Sequence, residues 1–425
     1  MKKILLILFF FLIYPQFLIS QNFPIFLNDT VGGTLNWAEI PESIIETPNF
    51  NYIYCGTKYS QANFSAITLN KITQEGLFVW TKEYYYGEGV EVINSLDGGY
   101  VILGEVEGSS SQDDDIIIIK TDENGNELWN KTYGIVGGDE DPRAILATND
   151  GGYIICSDYK INMSAADDVN ILKLDYLGNL EWSQNYGNGS LLNARTTSSI
   201  QQTLDGGYVF SVNDSIVKIN SFGQVIWKAG YGINLTYDGD IKVDDNGDFI
   251  ICGQQIDPQN NFSYNICLIK TNSLGNEIWR KYFGGPEDEY CAELHITSDD
   301  GIVLFAETEI NGDEEIYVVK TDAFGNQQWD FSWGVLGEDF SKSGLQMFNG
   351  QYFVCGILED FGSGVIIRID GNGNITSLFN LPSNNLNRKL EKAVDILGRD
   401  ISLQKNKPFI EIYNDGTVEK RIIIE

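Results

Sequence analysis

A ten-residue phrase ending in tryptophan recurs through this chain at a spacing close to fifty residues. It reads KITQEGLFVW at 71–80, KTDENGNELW at 120–129, KLDYLGNLEW at 173–182, KINSFGQVIW at 218–227, KTNSLGNEIW at 270–279 and KTDAFGNQQW at 320–329. A further copy, RIDGNGNITS at 368–377, has lost its aromatic. Successive tryptophans stand 49, 53, 45, 52 and 50 residues apart. A fixed period of this length marks a repeat architecture, in which no unit buries its apolar face alone and each stacks on its neighbours.

Every unit holds four strand-like runs, in the second copy VEVINS (90–95), YVILGEV (100–106), IIIIKT (116–121) and ELWNKTY (127–133). Asp97-Gly98-Gly99 joins the first two and residues 122–126 join the last two. Both connections are short and supply Gly or Asn where a hairpin needs positive φ. Four antiparallel strands per period make a propeller blade, and seven first strands can be read between 43–47 and 344–349. The expected fold is therefore all-β, a seven-bladed β-propeller spanning residues 24–380. Ring closure hides sheet edges that would otherwise invite aggregation. Residues 33–40 are a candidate closing strand for the last blade.

Aligned second strands stack Cys55, Leu103, Cys156, Ser211, Cys252, Phe305 and Cys355 at one position. The next position holds Gly56, Gly104, Ser157, Val212, Gly253, Ala306 and Gly356. Sheets radiating from an axis crowd near its centre, so small residues are expected there. The tryptophan falls on the fourth strand, where it fills the wider gap between blades as packing rather than as a binding stripe. Four of the six cysteines occupy equivalent positions in different blades. Packed sheets lie about 10 Å apart, beyond disulfide reach, so these four are expected as free buried thiols. Cys267 and Cys291 carry no assignment.

The two ends are different material. Residues 1–20 combine a basic start, the apolar run 4–19 and Ser20, the pattern of a secretory signal peptide cleaved near Ser20. No later apolar run is long enough to span a membrane. After a linker at 381–387, residues 388–425 depart from the repeat. They carry Val394, Asp395, Gly398 and Arg399 in a V-D-x-x-G-R element, then an aromatic strand ending in Tyr413. An Asn-Asp-Gly turn ending at Gly416 and a basic strand at 418–424 follow. This segment resembles the C-terminal sorting domain of proteins exported by the type IX secretion system of Bacteroidota, in a short form that lacks the usual opening Pro-Asn-Pro strand. The resemblance implies recognition by the type IX machinery, passage across the outer membrane, and removal of the tail or surface attachment. A last hairpin docked on the propeller is the plainer alternative. The cycle D-G-G-Y, strand, K-x-D-x-x-G-N-x-x-W, Y-G resembles the propeller repeats of large secreted Bacteroidota proteins, related in style to delta-60 and quinoprotein-like propellers. That resemblance implies the same ring over nearly all of 43–380.

Charge narrows the partners. The chain carries 28 basic and 60 acidic residues, a net charge of −32, and the tail is nearly balanced, so the acid lies in the repeats. This excludes sequence-independent binding to nucleic-acid phosphates and argues against anionic membranes or polyanionic glycans. Strand parity places the short Gly turns on one face of the disc and the longer 2–3 loops and blade crossings on the other. Runs at 113–115, 139–141, 167–168, 287–289, 313–315 and 338–339 fall on that long-loop face, where propellers place binding. Asp113, Asp115, Asp139 and Asp141 are candidate ligands for Ca²⁺, because their two loops belong to one blade and its crossing. Two plainer readings compete: strand-entry hydrogen bonding by Asp115, Asp168, Asp214 and Glu315, and a solvated face. No other cofactor is expected.

Enzyme signatures are sparse. His295, the only histidine, is expected as a packed residue on a first strand near the axis, which disfavours multi-His metal sites and Ser-His-Asp triads. The function expected is that of a non-catalytic module, secreted or displayed on the outer-membrane surface, binding a protein, glycan or cation. The alternative is a secreted hydrolase of glycans or peptides with a carboxylate centre in the axial channel. Clustered inward carboxylates with aromatic subsites favour the alternative; a channel of Gly, Ala, Ser and apolar residues favours the module.

Overall fold

The computed structural model describes residues 39–59, 65–74, 76–108, 114–135, 138–160, 168–186, 197–235, 239–256, 263–310, 312–334, 337–358 and 363–380, and in the tail 390–394, 408–413 and 418–422. The signal segment, the linker, Asp113, Asp395, Gly398, Arg399 and Gly416 lie outside these residues. The chain divides into one compact unit from Leu35 to Asn384 and a second that holds the described strands of the tail.

The first unit is a seven-bladed β-propeller. Seven sheets each hold four consecutive antiparallel strands, and the described residues contain no helix. Blade 1 is built from strands Glu39–Glu46, Tyr52–Tyr59, Ser65–Ile72 and Phe78–Tyr86. Blades 2 to 7 occupy 88–133, 139–185, 200–230, 240–283, 289–333 and 339–380. The first strands of successive blades touch one another around the ring, which makes them the axial strands. Residues 39–40, expected to help close the last blade, instead begin the first strand of blade 1, where Glu39 pairs with Lys58 and Ile40 with Thr57. Among the described residues no blade is completed by a strand from the other end of the chain, and residues 33–38 lie outside them. Closure comes from packing: Ile44, Tyr52 and Tyr54 of blade 1 share a core with Leu345, Phe353 and Cys355 of blade 7. Arg368 of blade 7 also donates to the Gln74 carbonyl at 3.2 Å.

The repeated phrase builds the interfaces. Each tryptophan lies against the turn glycine of the following blade, Trp80 on Gly125, Trp129 on Gly178, Trp182 on Gly223, Trp227 on Gly275, Trp279 on Gly325 and Trp329 on Gly373. A tyrosine on the same outer strand or just past its end reinforces four of these contacts by donating to the glycine carbonyl: Tyr84 to Gly125, Tyr133 to Gly178, Tyr186 to Gly223 and Tyr231 to Gly275. The turn itself is set by its first residue. Asp122 Oδ1 accepts the N–H groups of Asn124 and Asn126 at 2.9 and 2.8 Å, and Asp175, Asn220, Asn272, Asp322 and Asp370 repeat the arrangement. This is an Asx turn that leaves the following Gly to take positive φ.

Small residues after the stacked second-strand position have a definite cause. A Cβ at Gly56 would strike the Ile40 carbonyl, one at Gly104 the Glu88 carbonyl and one at Gly356 the Phe340 carbonyl. In these blades the axial strand carries a β-bulge just there, between Pro41 and Ser43, Gly89 and Glu91, or Ser341 and Ser343. The bulge presses its backbone onto the second strand. All six cysteines are buried and none is in a disulfide.

In the second unit, Leu390–Val394, Pro408–Tyr413 and Val418–Ile422 form a three-stranded antiparallel sheet. Val394 therefore ends one strand and Tyr413 the next.

Candidate functional site

The axis is lined by one repeated position on the first strands: Ser43, Glu91, Ala144, Ser199, Asp240, Glu293 and Ser343. These residues lie opposite the stacked Cys55, Leu103, Cys156, Ser211, Cys252, Phe305 and Cys355. An axial strand is an edge strand, with outward N–H groups lacking a sheet partner. The preceding blade supplies the acceptor. Val92 N–H donates to Ser43 Oγ (3.3 Å), Ile145 to Glu91 Oε2 (2.7 Å), Ile241 to Ser199 Oγ (3.4 Å), Leu294 to Asp240 Oδ2 (3.0 Å), Gly344 to Glu293 Oε2 (3.1 Å) and Ile44 to Ser343 Oγ (3.5 Å). Six of seven possible links are made, and the last crosses from blade 7 to blade 1. Ala144 has no acceptor to offer Ile200.

Charge gathers on this seam. Lys242 pairs with Asp240 at 2.7 Å, His295 with Glu293 at 2.8 Å, and Lys342 with Glu42 at 3.7 Å. His295 packs edge-on against Phe305, on a first strand as expected. Burial pushes the Glu91 carboxyl up, the Ile145 N–H and Lys242 pull it down, and Glu293 and Asp240 push it up again, leaving it at about 8. Glu293 is also pushed up by burial, but His295 and Lys242 outweigh this and hold it at about 2. The axis is thus a mixture of the two linings expected, four small residues (Ser43, Ala144, Ser199 and Ser343) and three carboxylates that the ring itself uses.

On the long-loop face many acids prove to be internal. Glu39, Glu140, Glu289 and Asp339 are buried at the starts of their first strands. Glu289 accepts from Gly285 N–H (2.9 Å), Thr308 (3.1 Å) and Asn265 (3.1 Å). Its carboxylate lies where a Cβ on Gly284 would sit, and Glu140 and Asp339 approach Gly134 and Gly334 in the same way. Of the candidate Ca²⁺ ligands, Asp139 pairs with Lys160 at 3.2 Å, Asp141 pairs with Arg143 at 2.6 Å, and Asp115 lies against Gly134. Among the described residues no three His, Cys, Asp or Glu side chains are arranged to hold a metal ion.

One cleft on this face is different. It encloses about 250 Å³ and is lined by Ser65, Tyr86, Gly87, Glu88, Glu105, Val106, Glu107 and Asp114, where the crossing from blade 1 meets the 2–3 loop of blade 2. None of these residues is basic, and Tyr86 is 74% exposed. Burial, then the charges of Asp141, Asp114, Glu88 and Asp139, push the Glu105 carboxyl up to about 8. Sequence reasoning singled out Asp114 with its neighbours but missed Tyr86, Glu88 and Glu105; Tyr86 and Glu88 lie two residues apart, and the pairing of Glu88 with Glu105 across the sheet brings in the third.

It also missed the lysine that opens each repeated phrase. Lys120, Lys173, Lys218 and Lys320 are buried on third strands and pair with Asp97, Asp150, Asp205 and Asp299 of the short 1–2 turns at 2.7 to 3.1 Å. The co-repetition of D-G-G and K-x-D was the available signal.

No family model matches this chain, and no curated protein matches it. Solved structures do. The β-propeller domain of the trilobed protease from Pyrococcus furiosus, described as having an open velcro topology, matches 83% of this chain and 98% of its own, with 8% identity and a TM-score of 0.51. A protein of unknown function from Bacteroides caccae matches 66% of this chain and 93% of its own, at 16% identity and a TM-score of 0.43. Sqt1 from Chaetomium thermophilum matches 90% and 96%, at 12% identity and a TM-score of 0.48. At these identities the likeness to the protease domain supports the propeller fold and nothing about chemistry.

Proposed function

We propose that this chain is an exported, non-catalytic propeller, secreted or held on the outer-membrane surface, that binds a cationic group of a partner in the acidic cleft between blades 1 and 2. The observation that carries the reading is the cleft itself: four carboxylates and an exposed tyrosine face one space that holds no basic residue. Carboxylates crowded in this way are relieved by a guanidinium or ammonium, and the Tyr86 ring adds a cation–π surface worth about 0.5–1 kcal/mol when exposed. Titration calorimetry with a hexa-arginine peptide tests it. Binding is expected to weaken with added NaCl. It is also expected to fall at least about fivefold in Glu107→Gln/Asp114→Asn and about two- to fivefold in Tyr86→Ala. Affinity unchanged by all three substitutions would overturn the reading.

Delivery by type IX secretion rests on the tail pattern and its three-stranded sheet. Deleting 388–425 is expected to leave the propeller folded and abolish release or display in a host with that system. Unchanged export of the truncated protein would remove the sorting role, and a lowered melting temperature would support the docked-hairpin alternative. A second reading, a hydrolase at the axis, draws on Glu91 and Glu293, two carboxyls whose surroundings push their pKa values apart. Hydrolysis of a glycoside or peptide panel that is lost in Glu293→Gln would favour it.

A further inference from the structure

Blade 3 is tied into the axial seam from one side only. Its first strand, Asp139–Ala147, donates Ile145 N–H to Glu91 Oε2 at 2.7 Å, while Ala144 leaves the onward link to blade 4 unmade. The cations nearest Glu91 already have other carboxylate partners. Across the axis, the Lys242 ammonium is engaged by Asp240, and Glu293 is engaged by His295 and Gly344 N–H. On blade 1, Glu42 pairs with Lys342 and shares with Glu91 an influence on the Cys55 thiol. On blade 3, Arg143 is committed to Asp141 and Asp158, and the Cys156 thiol also feels Glu91. A negative charge on Glu91 would join Asp240 and Glu293 with no cation of its own.

We propose that Glu91 is a proton-dependent clasp between blades 2 and 3, closed while its carboxyl is protonated and loosened when it ionises. A neutral carboxyl still accepts the Ile145 N–H through its carbonyl oxygen and adds no charge to the axis. The sign follows from linkage. In the closed ring the carboxyl holds its proton up to about pH 8, whereas in an opened seam it returns to its ordinary 4.5. Opening therefore releases a proton, and its equilibrium constant rises about tenfold per pH unit between the two values and levels off above the higher one.

Hydrogen exchange read by mass spectrometry on the full chain, corrected for the intrinsic rate, tests this between pH 5 and 8. Peptides covering 139–147 are expected to show an opening constant about a hundredfold larger at pH 7 than at pH 5, with peptides covering the blade 4 strands Tyr208–Val212 and Ser215–Ile219, which hold no carboxyl, unchanged. Glu91→Gln keeps the acceptor and removes this titration, so its slope is expected to be smaller than that of wild type, with Asp158 beside Arg143 supplying what remains. An equal slope in wild type and Glu91→Gln, or no slope in wild type, would overturn the proposal. Should that variant fail to fold, Glu91→Ser decides, since it places at this position the hydroxyl that Ser43, Ser199 and Ser343 use there and likewise removes the titration. A smaller slope than wild type in 139–147 supports the clasp, and an equal slope overturns it.

Discussion

Asp205 shows why the acids of the short-turn face are unavailable for binding. Its Oδ1 accepts from Thr203 Oγ1 at 2.6 Å, Gly207 N–H at 3.1 Å and Lys218 Nζ at 2.7 Å. Partial burial pushes the carboxyl up, but these three donors outweigh it and hold it at about 2, below the ordinary 3.8. The stabilisation is therefore present above pH 3.8 and is lost as pH falls through 2. Lys218 is buried but the aspartate is well exposed, so solvent screening reduces the pair's worth. Asp205→Asn is expected to cost about 1–2 kcal/mol in urea unfolding at pH 7, with little difference from wild type at pH 2. Turn glycines can be sorted in the same way. Gly151 and Gly178 both take positive φ, 87° and 73°, so alanine costs about 1–2 kcal/mol of backbone strain at either. A Cβ at Gly151 meets nothing within 4 Å, whereas one at Gly178 comes within 2.9 Å of the Trp129 ring. Gly178→Ala is expected to lose about 1–3 kcal/mol more than Gly151→Ala, and the difference measures the blade-to-blade contact.

Within a blade, the first strand does two jobs that its sequence states weakly. Its bulge places one side chain over the neighbouring blade, and that side chain satisfies an N–H that no sheet partner reaches. Ser, Glu and Asp all serve because each offers an oxygen at the same place, so the position shows no single residue type in the repeat. Ala144 is the exception and hence the place to add a link. Ala144→Ser is expected to give Ile200 N–H an acceptor and to raise stability by about 0.5–1.5 kcal/mol, read as a higher melting temperature. Ser43→Ala should lower it by a similar amount through loss of the Val92 link. No change in either variant would show that water serves these amides as well as the hydroxyl does.

At the scale of the whole chain, the net charge of −32 sets a self-repulsion that any salt relieves. The aspartates that looked most suited to a divalent cation have protein partners instead, Lys160 for Asp139 and Arg143 for Asp141. CaCl₂ and NaCl at matched ionic strength are therefore expected to raise the melting temperature equally. A larger shift with CaCl₂ that disappears in Asp139→Asn/Asp141→Asn would show a specific site.

The repeat, the blade count, the parity of the two faces and the packing role of the tryptophans were all legible in the sequence. Each rests on local rules: the period of two along a strand, the glycine that a tight turn demands, the aromatic that a gap demands. Fifty-residue repetition then turns seven weak signals into one strong one. The axial seam and the acidic cleft were not legible. Glu88 and Glu105 meet within one hairpin, but Glu91 and Ile145 come together only once neighbouring blades have packed, and nothing in their spacing distinguishes Glu88, Glu91 or Glu105 from the other acids of this chain. The same closure decides which carboxylates become structural. Burial beside a glycine claims Glu140 and Asp339, a lysine from the third strand claims Asp205, and Glu105 is left beside other carboxylates. Long-range electrostatics depends on distance in space, and only tertiary structure sets that distance.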